Sequence, residues 1–232
     1  MASVRSTRRG CVCVFAKPPR AGLVKTRLIA SLGAPAAADL ARAFFDDTWR
    51  LARSLEWADA VLATTDVAAS EWQTIGPAEI WPQVGGDLGE RLEEILRDAL
   101  AIYPFAIAIG TDAPALPREL LDAACDALQT VDAVLGPAED GGFYLLGVRA
   151  CPSGLLAEIP WSAPDTYART LARFRERRLR TEILPPWFDV DRSEDLNRLT
   201  SLLASDGAEA PATRRLLQQL GMLPDGPAGV TQ

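Results

Sequence analysis

Histidine is missing from the chain altogether. That removes the Ser-His-Asp and Cys-His nucleophile pairs and the usual imidazole-based zinc sites. Any acid–base or metal chemistry therefore has to rest on carboxylates. Cysteine is scarce, limited to Cys11, Cys13, Cys125 and Cys151. None forms a C-x-x-C pair, so neither a disulfide framework nor a thiolate metal site is expected. Cys11 and Cys13 alternate along one apolar run and read as small core residues on one face. No apolar run approaches the roughly 20 residues that span a bilayer. The basic start MASVRSTRRG leads into an apolar stretch too short for a signal-peptide core. The expectation is a cytoplasmic protein without membrane contact. Positive charge is in deficit: 24 Lys+Arg against 31 Asp+Glu leave a formal net charge of −7, which argues against nucleic acid as a partner. There is no internal repeat and no low-complexity block.

Against that deficit, one stretch concentrates cations. FAKPPRAGLVKTRL, from Phe15 to Leu28, follows a short apolar run and carries Lys17, Arg20, Lys25 and Arg27. Cations gathered where a buried strand ends suit a multiply charged anion, with phosphate foremost; a solvated basic loop is the plain alternative. Hydrophobic residues make up 48% and charged residues 24% of the 232, ordinary values for a globular enzyme. A chain of this length folded as one domain buries roughly 70–75% of its unfolded surface. The expected domain spans residues 11–220, between a flexible basic N-terminus (1–10) and a flexible Gly/Pro-rich tail (221–232).

Short β-like runs alternate with helical stretches. Strands are expected at Cys11–Ala16, Ala58–Thr64, Phe105–Gly110, Ala133–Gly136, Phe143–Val148 and Arg180–Leu184. Helices are expected at Pro35–Ser54, Leu88–Ile102, Pro117–Leu128, Pro164–Arg177, Ser193–Leu203 and Thr213–Leu220. Runs such as CVCVF and AIAIG are apolar at nearly every position, as when helices cover both faces of a sheet. The alternation predicts a doubly wound α/β domain with a largely parallel sheet. The pair Ala133–Gly136 and Phe143–Val148, split by AEDGG, is close enough to be antiparallel, which would make the sheet mixed.

Open α/β sheets bind ligands beyond the carboxyl ends of their strands, and the polar motifs fall there. Asp112 follows AIAIG directly and precedes Pro114. It reads as a ligand for a divalent cation or as the start of an Asx-turn. Asp140, with Glu139 as a neighbour, precedes Gly141 and Gly142, which permit φ > 0 or a close approach. A tight turn is its plain reading. FDVDRSEDL brings Asp189, Asp191, Glu194 and Asp195. Ser193 or Asp191 is expected to cap the next helix, and Asp189 and Asp191 share one face of an extended segment. In QVGGDLGERL, Asp87 and Glu90 fit a capping box. Gln83 can bond a nucleobase edge, Gly85 and Gly86 let backbone approach it, and Arg91 can meet phosphate or a core acid.

Taken in order, FAKPPRAGLVKTRL, GGDLGERL, IGTDAPAL, GPAEDGGFYLLG, the Trp161–Ser162 pair and DVDRSEDL resemble the bacterial GT-A-like transferases described as radical-SAM/selenodomain-associated or arsenosugar-biosynthesis glycosyltransferases. The resemblance spans Cys11 to Leu199. It implies a Rossmann-like GT-A fold, with nucleotide at the strand ends and Mg²⁺ or Mn²⁺ held by acids. It further implies that the basic loop, through Lys17, Lys25 and Arg27, binds phosphate; Phe15, Ala16 and Gly22 of that loop, with Gln83, Gly85, Gly86 and Arg91 on the reading above, complete the expected nucleotide-binding set. Asp112, with Asp140 or Asp191, would hold the metal, and Asp112, Asp140 and Lys25 would act in catalysis. Asp189, Trp161, Gly141 and Gly142 would face the acceptor. Gly22 alone stands where sugar-nucleotide pyrophosphorylases carry several glycines. The expected reaction is glycosyl transfer from a nucleotide-diphosphosugar to a small-molecule acceptor, with Asp140 or Asp189 as base. The alternatives are nucleotidyl transfer from an NTP to a small phosphorylated substrate, with loss of pyrophosphate, and a nucleotide-binding regulator without catalysis. Exposed tryptophans are compatible with a homo-oligomer.

Overall fold

The computed structural model describes residues 9–205 and 208–224; the ends of the chain expected to be flexible lie mostly outside these residues. The first strand, β1 (Gly10–Ala16), leads through a loop and a single 3-10 turn (Thr26–Leu28) to α1 (Ile29–Leu32) and the long α2 (Ala34–Arg53). Then come β2 (Ala58–Thr64), β3 (Glu79–Pro82), α3 (Leu88–Leu100), β4 (Ala106–Ile109) and α4 (Arg118–Ala127). The chain continues with β5 (Ala133–Pro137), β6 (Phe143–Val148), α5 (Thr166–Glu176), β7 (Thr181–Ile183), α6 (Ser193–Ala204) and α7 (Pro211–Gln219).

The strands form one sheet in the order β3-β2-β1-β4-β6-β5-β7. β6 runs antiparallel to both its neighbours, and the other pairings are parallel. The sheet is mixed, as the AEDGG spacing suggested. Successive residues of β1 point to opposite faces, and each face has its own core. Val12 and Val14 join Phe45, Trp49 and Ala52 of α2 and Leu121 and Ala124 of α4. Cys11 and Cys13 join Leu92, Ile95, Leu96 and Ala99 of α3 and Phe174 of α5. A third cluster seats α6 and α7 against Leu28, Leu40 and Phe44.

Two edge strands depart from expectation. β3 was not anticipated, because Glu79–Pro82 is only partly buried and ends in proline. Proline is tolerated at an edge, where no ladder hydrogen bond is lost. β7 is shorter than the Arg180–Leu184 run, and Arg180 instead grips Asp132 through its side chain and backbone N–H. Gly10 opens β1 rather than lying in a free terminus, and a Cβ there would meet the Phe105 ring at 2.2 Å. Among the described residues no helix is long and apolar enough to cross a membrane.

The topology decides where a ligand can sit. From β1 the chain winds outward to β2 and β3, then returns to place β4 on the other side of β1. The loops after β1 and β4 therefore leave the sheet in different directions and open a crevice between them.

Candidate functional site

Lys25 ends the β1 loop in the left-handed region, at φ 45° and ψ 41°. That conformation, uncommon outside glycine, turns its side chain back under the loop. The side chain is only 6% exposed, and its ammonium lies 5.2 Å from the centroid of the Phe44 ring. The same ammonium meets the Asp112 carboxylate, donates to the Val190 carbonyl at 2.7 Å and reaches Asp191 Oδ1 at 3.2 Å. Arg27 approaches the other oxygen of Asp191 at 3.4 Å. Burial alone would depress the Lys25 pKa, but the Asp112 and Asp191 carboxylates outweigh it and hold the group above its ordinary value.

Asp112 does not form the Asx-turn that its sequence allowed. Its carboxylate goes to Lys25, while its carbonyl accepts from Val190 N–H at 2.8 Å. That bond lays the segment before α6 alongside the β4 loop and brings Asp189 into the group. Burial pushes the Asp189 carboxyl up to about 7; Asp112, Asp140 and Asp191 add to the rise and Lys25 opposes it. Asp112 and Asp191 thus share one lysine, with the charges of Asp189 and Asp140 close beside them.

Asp140 contributes from the turn between β5 and β6, where its Oδ1 accepts from Gly142 N–H at 2.8 Å. Gly141 is required in that turn: its φ is 92°, and a Cβ would fall 1.9 Å from the Pro164 carbonyl oxygen. Glu139 faces away and is held by Arg198. Neither Asp191 nor Ser193 caps α6, contrary to expectation. The Asp195 carboxylate reaches back to Asp191 N–H at 3.1 Å and Arg192 N–H at 2.8 Å, which leaves Asp191 free to face Lys25.

A cleft of about 680 Å³ opens from this cluster across the ends of β1 and β4. Phe15, Ala16, Lys17, Lys25, Arg27, Gln83, Arg91, Asp112, Trp161 and Asp191 all line it. The opposite wall is the start of α3, where Asp87 and Glu90 form the expected reciprocal cap. Arg20 is absent from the cleft: it turns outward to Asp66 at 2.9 Å and Glu71 at 2.7 Å. Gln83 is at the cleft, but its amide is committed, donating to Ala63 O at 2.7 Å and accepting from Arg91 at 3.3 Å. A nucleobase edge would have to displace those bonds. Arg91 also donates to Asp87 O at 3.1 Å, and among the described residues its second terminal nitrogen has no partner. Gly22, Gly85 and Gly86 lie outside the cleft lining, each with positive φ as a turn requires.

A second pocket of about 180 Å³ adjoins the cleft at Phe15, Leu88, Gly110 and Asp112. It runs between α3 and β6 toward Asp189, with Leu92, Ala113 and Phe143 in its walls. Sequence reasoning had no periodic or motif signal for this pocket, since its walls read as ordinary core. The Val190 carbonyl and the Phe44 ring were missed for a similar reason: neither residue type announces contact with a lysine. Among the described residues no three His, Cys, Asp or Glu side chains form a ready-made metal cage.

The model of the family described as "Uncharacterized protein conserved in bacteria (DUF2064)" matches residues 48–163. No curated protein is significantly similar to the chain. A crystal structure from Desulfovibrio desulfuricans G20, provisionally described as a nucleotide-diphospho-sugar transferase, is 34% identical with a TM-score of 0.83, covering 93% of this chain and 99% of that one. The 4-diphosphocytidyl-2C-methyl-D-erythritol synthase of Anaerococcus prevotii DSM 20548 shares the fold at 12% identity, with a TM-score of 0.57 over 85% of this chain and 97% of that one. A CMP:2-keto-3-deoxy-manno-octonic acid synthetase complexed with CTP does so at 12% identity, with a TM-score of 0.55 over 84% of this chain and 98% of that one. With half its length under the family model and its sheet matched to these enzymes, the chain belongs to the DUF2064 family, on a GT-A-like fold related to nucleotide-diphospho-sugar transferases and cytidylyltransferases.

Proposed function

We propose that the chain is a metal-assisted transferase that takes a nucleotide-diphosphosugar as donor and passes the glycosyl group to a hydroxyl of a small molecule. The observation that carries this reading is the buried Lys25 ammonium, held between Asp112 and Asp191 where β1 and β4 diverge, beside a cleft lined by Lys17, Arg27 and Arg91. A diphosphate in the cleft would meet three cations that the protein leaves weakly paired or free of acidic partners among the described residues. Lys25 and Arg27 would then stabilise the charge that grows on the departing nucleoside diphosphate.

The donor set fits a divalent cation of a particular kind. Mg²⁺ commonly takes one or two carboxylates and completes its shell with water and substrate phosphate. Asp112 and Asp191 can supply those carboxylates by exchanging the Lys25 ammonium for the metal, and the nearby Asp189 and Asp140 add negative charge beside them. Bound there, Mg²⁺ or Mn²⁺ would neutralise the diphosphate as a Lewis acid. Asp189 is the better placed base for the acceptor hydroxyl. A carboxylate with a pKa of about 7 is matched to proton transfer near neutrality, whereas Asp140 is engaged in its own turn. The motif resemblance adds radical-SAM-associated or arsenosugar chemistry to the proposal as a source of the acceptor; that part rests on the motifs alone.

A thermal-shift panel of nucleoside diphosphate sugars, NDPs and NTPs, each with Mg²⁺, Mn²⁺ or EDTA, tests the reading. A ligand at 100 times its Kd contributes about 2.7 kcal/mol of stability. Metal-dependent stabilisation is expected to be largest with a nucleotide-sugar and to disappear in Asp112→Asn. No stabilisation by any nucleotide with metal overturns the proposal. Pyrophosphate release from an NTP would replace it with nucleotidyl transfer, the chemistry of the more distant cytidylyltransferases.

A further inference from the structure

We infer that the acceptor is a small uncharged alcohol whose apolar body fills the pocket between α3 and β6, and that this pocket excludes phosphate esters. Naming the occupant as the acceptor rests on the transferase reading above; the chemistry of the pocket does not.

The two adjoining spaces differ in kind. The main cleft carries Lys17, Lys25, Arg27 and Arg91, whereas no lysine or arginine lines the smaller pocket. Its walls are Leu88, Leu92, Ala108, Ile109, Ala113 and Phe143, and its charged groups are Asp112 and Asp189. Tyr144 also lines it, but the hydroxyl is committed to the Pro185 carbonyl at 2.9 Å. A phosphate ester placed here would lie against Asp189 and against Asp112, whose cation Lys25 is already shared with Asp191, and would find no lysine or arginine in the pocket walls to bond, at a large desolvation cost. A glycosyl ring would lose water from several hydroxyls against apolar walls. An alcohol has one polar group to satisfy, and its O–H can donate to Asp189. The volume of about 180 Å³ suits a compact body, since an apolar cavity of ~150 Å³ accommodates benzene. Asp112 borders both spaces, so a donor in one and an alcohol in the other would meet beside it.

The test uses benzyl alcohol and benzyl phosphate as matched probes, titrated into the full chain and followed by methyl NMR at Leu92, Ile109 and Ala113. Benzyl alcohol is expected to give saturable shifts at these methyls, in the millimolar range natural to so small a ligand. Benzyl phosphate is expected to leave them unmoved. Leu92→Phe should weaken benzyl alcohol at least tenfold by filling the pocket. Phe143→Ala, which enlarges it, should shift preference toward 1-naphthalenemethanol and keeps the test decisive if Leu92→Phe fails to fold. The inference is overturned if benzyl alcohol produces no saturable shift, or if benzyl phosphate moves the same methyls equally well. Titrating the same samples with the panel of nucleotides and nucleotide-sugars in Mg²⁺ reads the cationic cleft separately, so absence of binding by every member would sink the transferase reading and leave the pocket standing.

Discussion

Replacing Lys25 by methionine keeps an unbranched apolar side chain at the position and removes the ammonium that lies over Phe44 and joins three loops. Breaking a fully buried ion pair by deleting one partner costs about 3–5 kcal/mol, whereas an exposed pair contributes about 0–1 kcal/mol. Lys25 is buried, but Asp112 and Asp191 are 52% and 40% exposed, so solvent screens the repulsion left behind. The expected loss lies between those limits, at about 2 kcal/mol. For a chain of this size that corresponds to a fall in Tm of about 4–8 °C. Asp112→Asn should cost less, because Lys25 keeps Asp191 and the Val190 carbonyl while Asp189 loses a repulsive neighbour. The double variant should therefore be more stable than the sum of the single losses predicts, with a coupling energy of about 1 kcal/mol. Urea denaturation of the four proteins without nucleotide, in EDTA, measures it. A coupling energy of zero, with Lys25→Met as stable as the parent, would mean that the ammonium is not held between these acids and would remove the centre of the proposed site.

Glu93, buried on α3, accepts from Gly154 N–H at 2.9 Å and Leu156 N–H at 2.5 Å. Glu93→Ala leaves both donors without that partner and should cost about 2–4 kcal/mol by urea denaturation; a loss below about 0.5 kcal/mol would show that the loop finds other acceptors. Asp189 supplies a pH signature. Its folded pKa of about 7 lies above the ordinary carboxylate value because of burial first and neighbouring carboxylates second. Its contribution to stability is thus fully present below about pH 4 and is lost as pH rises to 7. In EDTA, Asp189→Asn should gain on the parent across that interval, by at most about 4 kcal/mol and less after screening. A difference in Tm that does not change between pH 4 and pH 8 would contradict it.

Much of this arrangement can be read before folding, and the failures are specific. Strands such as CVCVF and AIAIG announce themselves because helices bury both sides, and the β5–β6 reversal follows from five turn residues between two apolar runs. β3 is silent because an edge strand with two exposed ends needs no apolar pattern. The gathering of Lys25, Asp112 and Asp191 follows from the rule that loops at one sheet edge converge. Which cation goes where does not: Arg20 and Lys25 belong to the same loop, and only the acids of the β2–β3 connection draw Arg20 outward. Gln83 and Asp195 teach the same lesson. Each has a side chain that suits two partners, and the choice is made by backbone groups that no local pattern reveals.

The segment from Trp187 to Asp191 binds to the end of β5 through Trp187 N–H on Pro137 O, to the β4 loop through Val190 N–H on Asp112 O, and to the β1 loop through the Val190 carbonyl. Lys25 and Val190 are 165 positions apart, so this clasp closes a loop that spans most of the chain, and its closure entropy weighs against early formation. During synthesis the lysine emerges long before the carbonyl that will receive it. A nascent chain that ends before Val190 already carries all seven strands of the sheet and still lacks the carbonyl and the Asp191 carboxylate that hold Lys25, so the candidate site is completed only by the segment that follows β7.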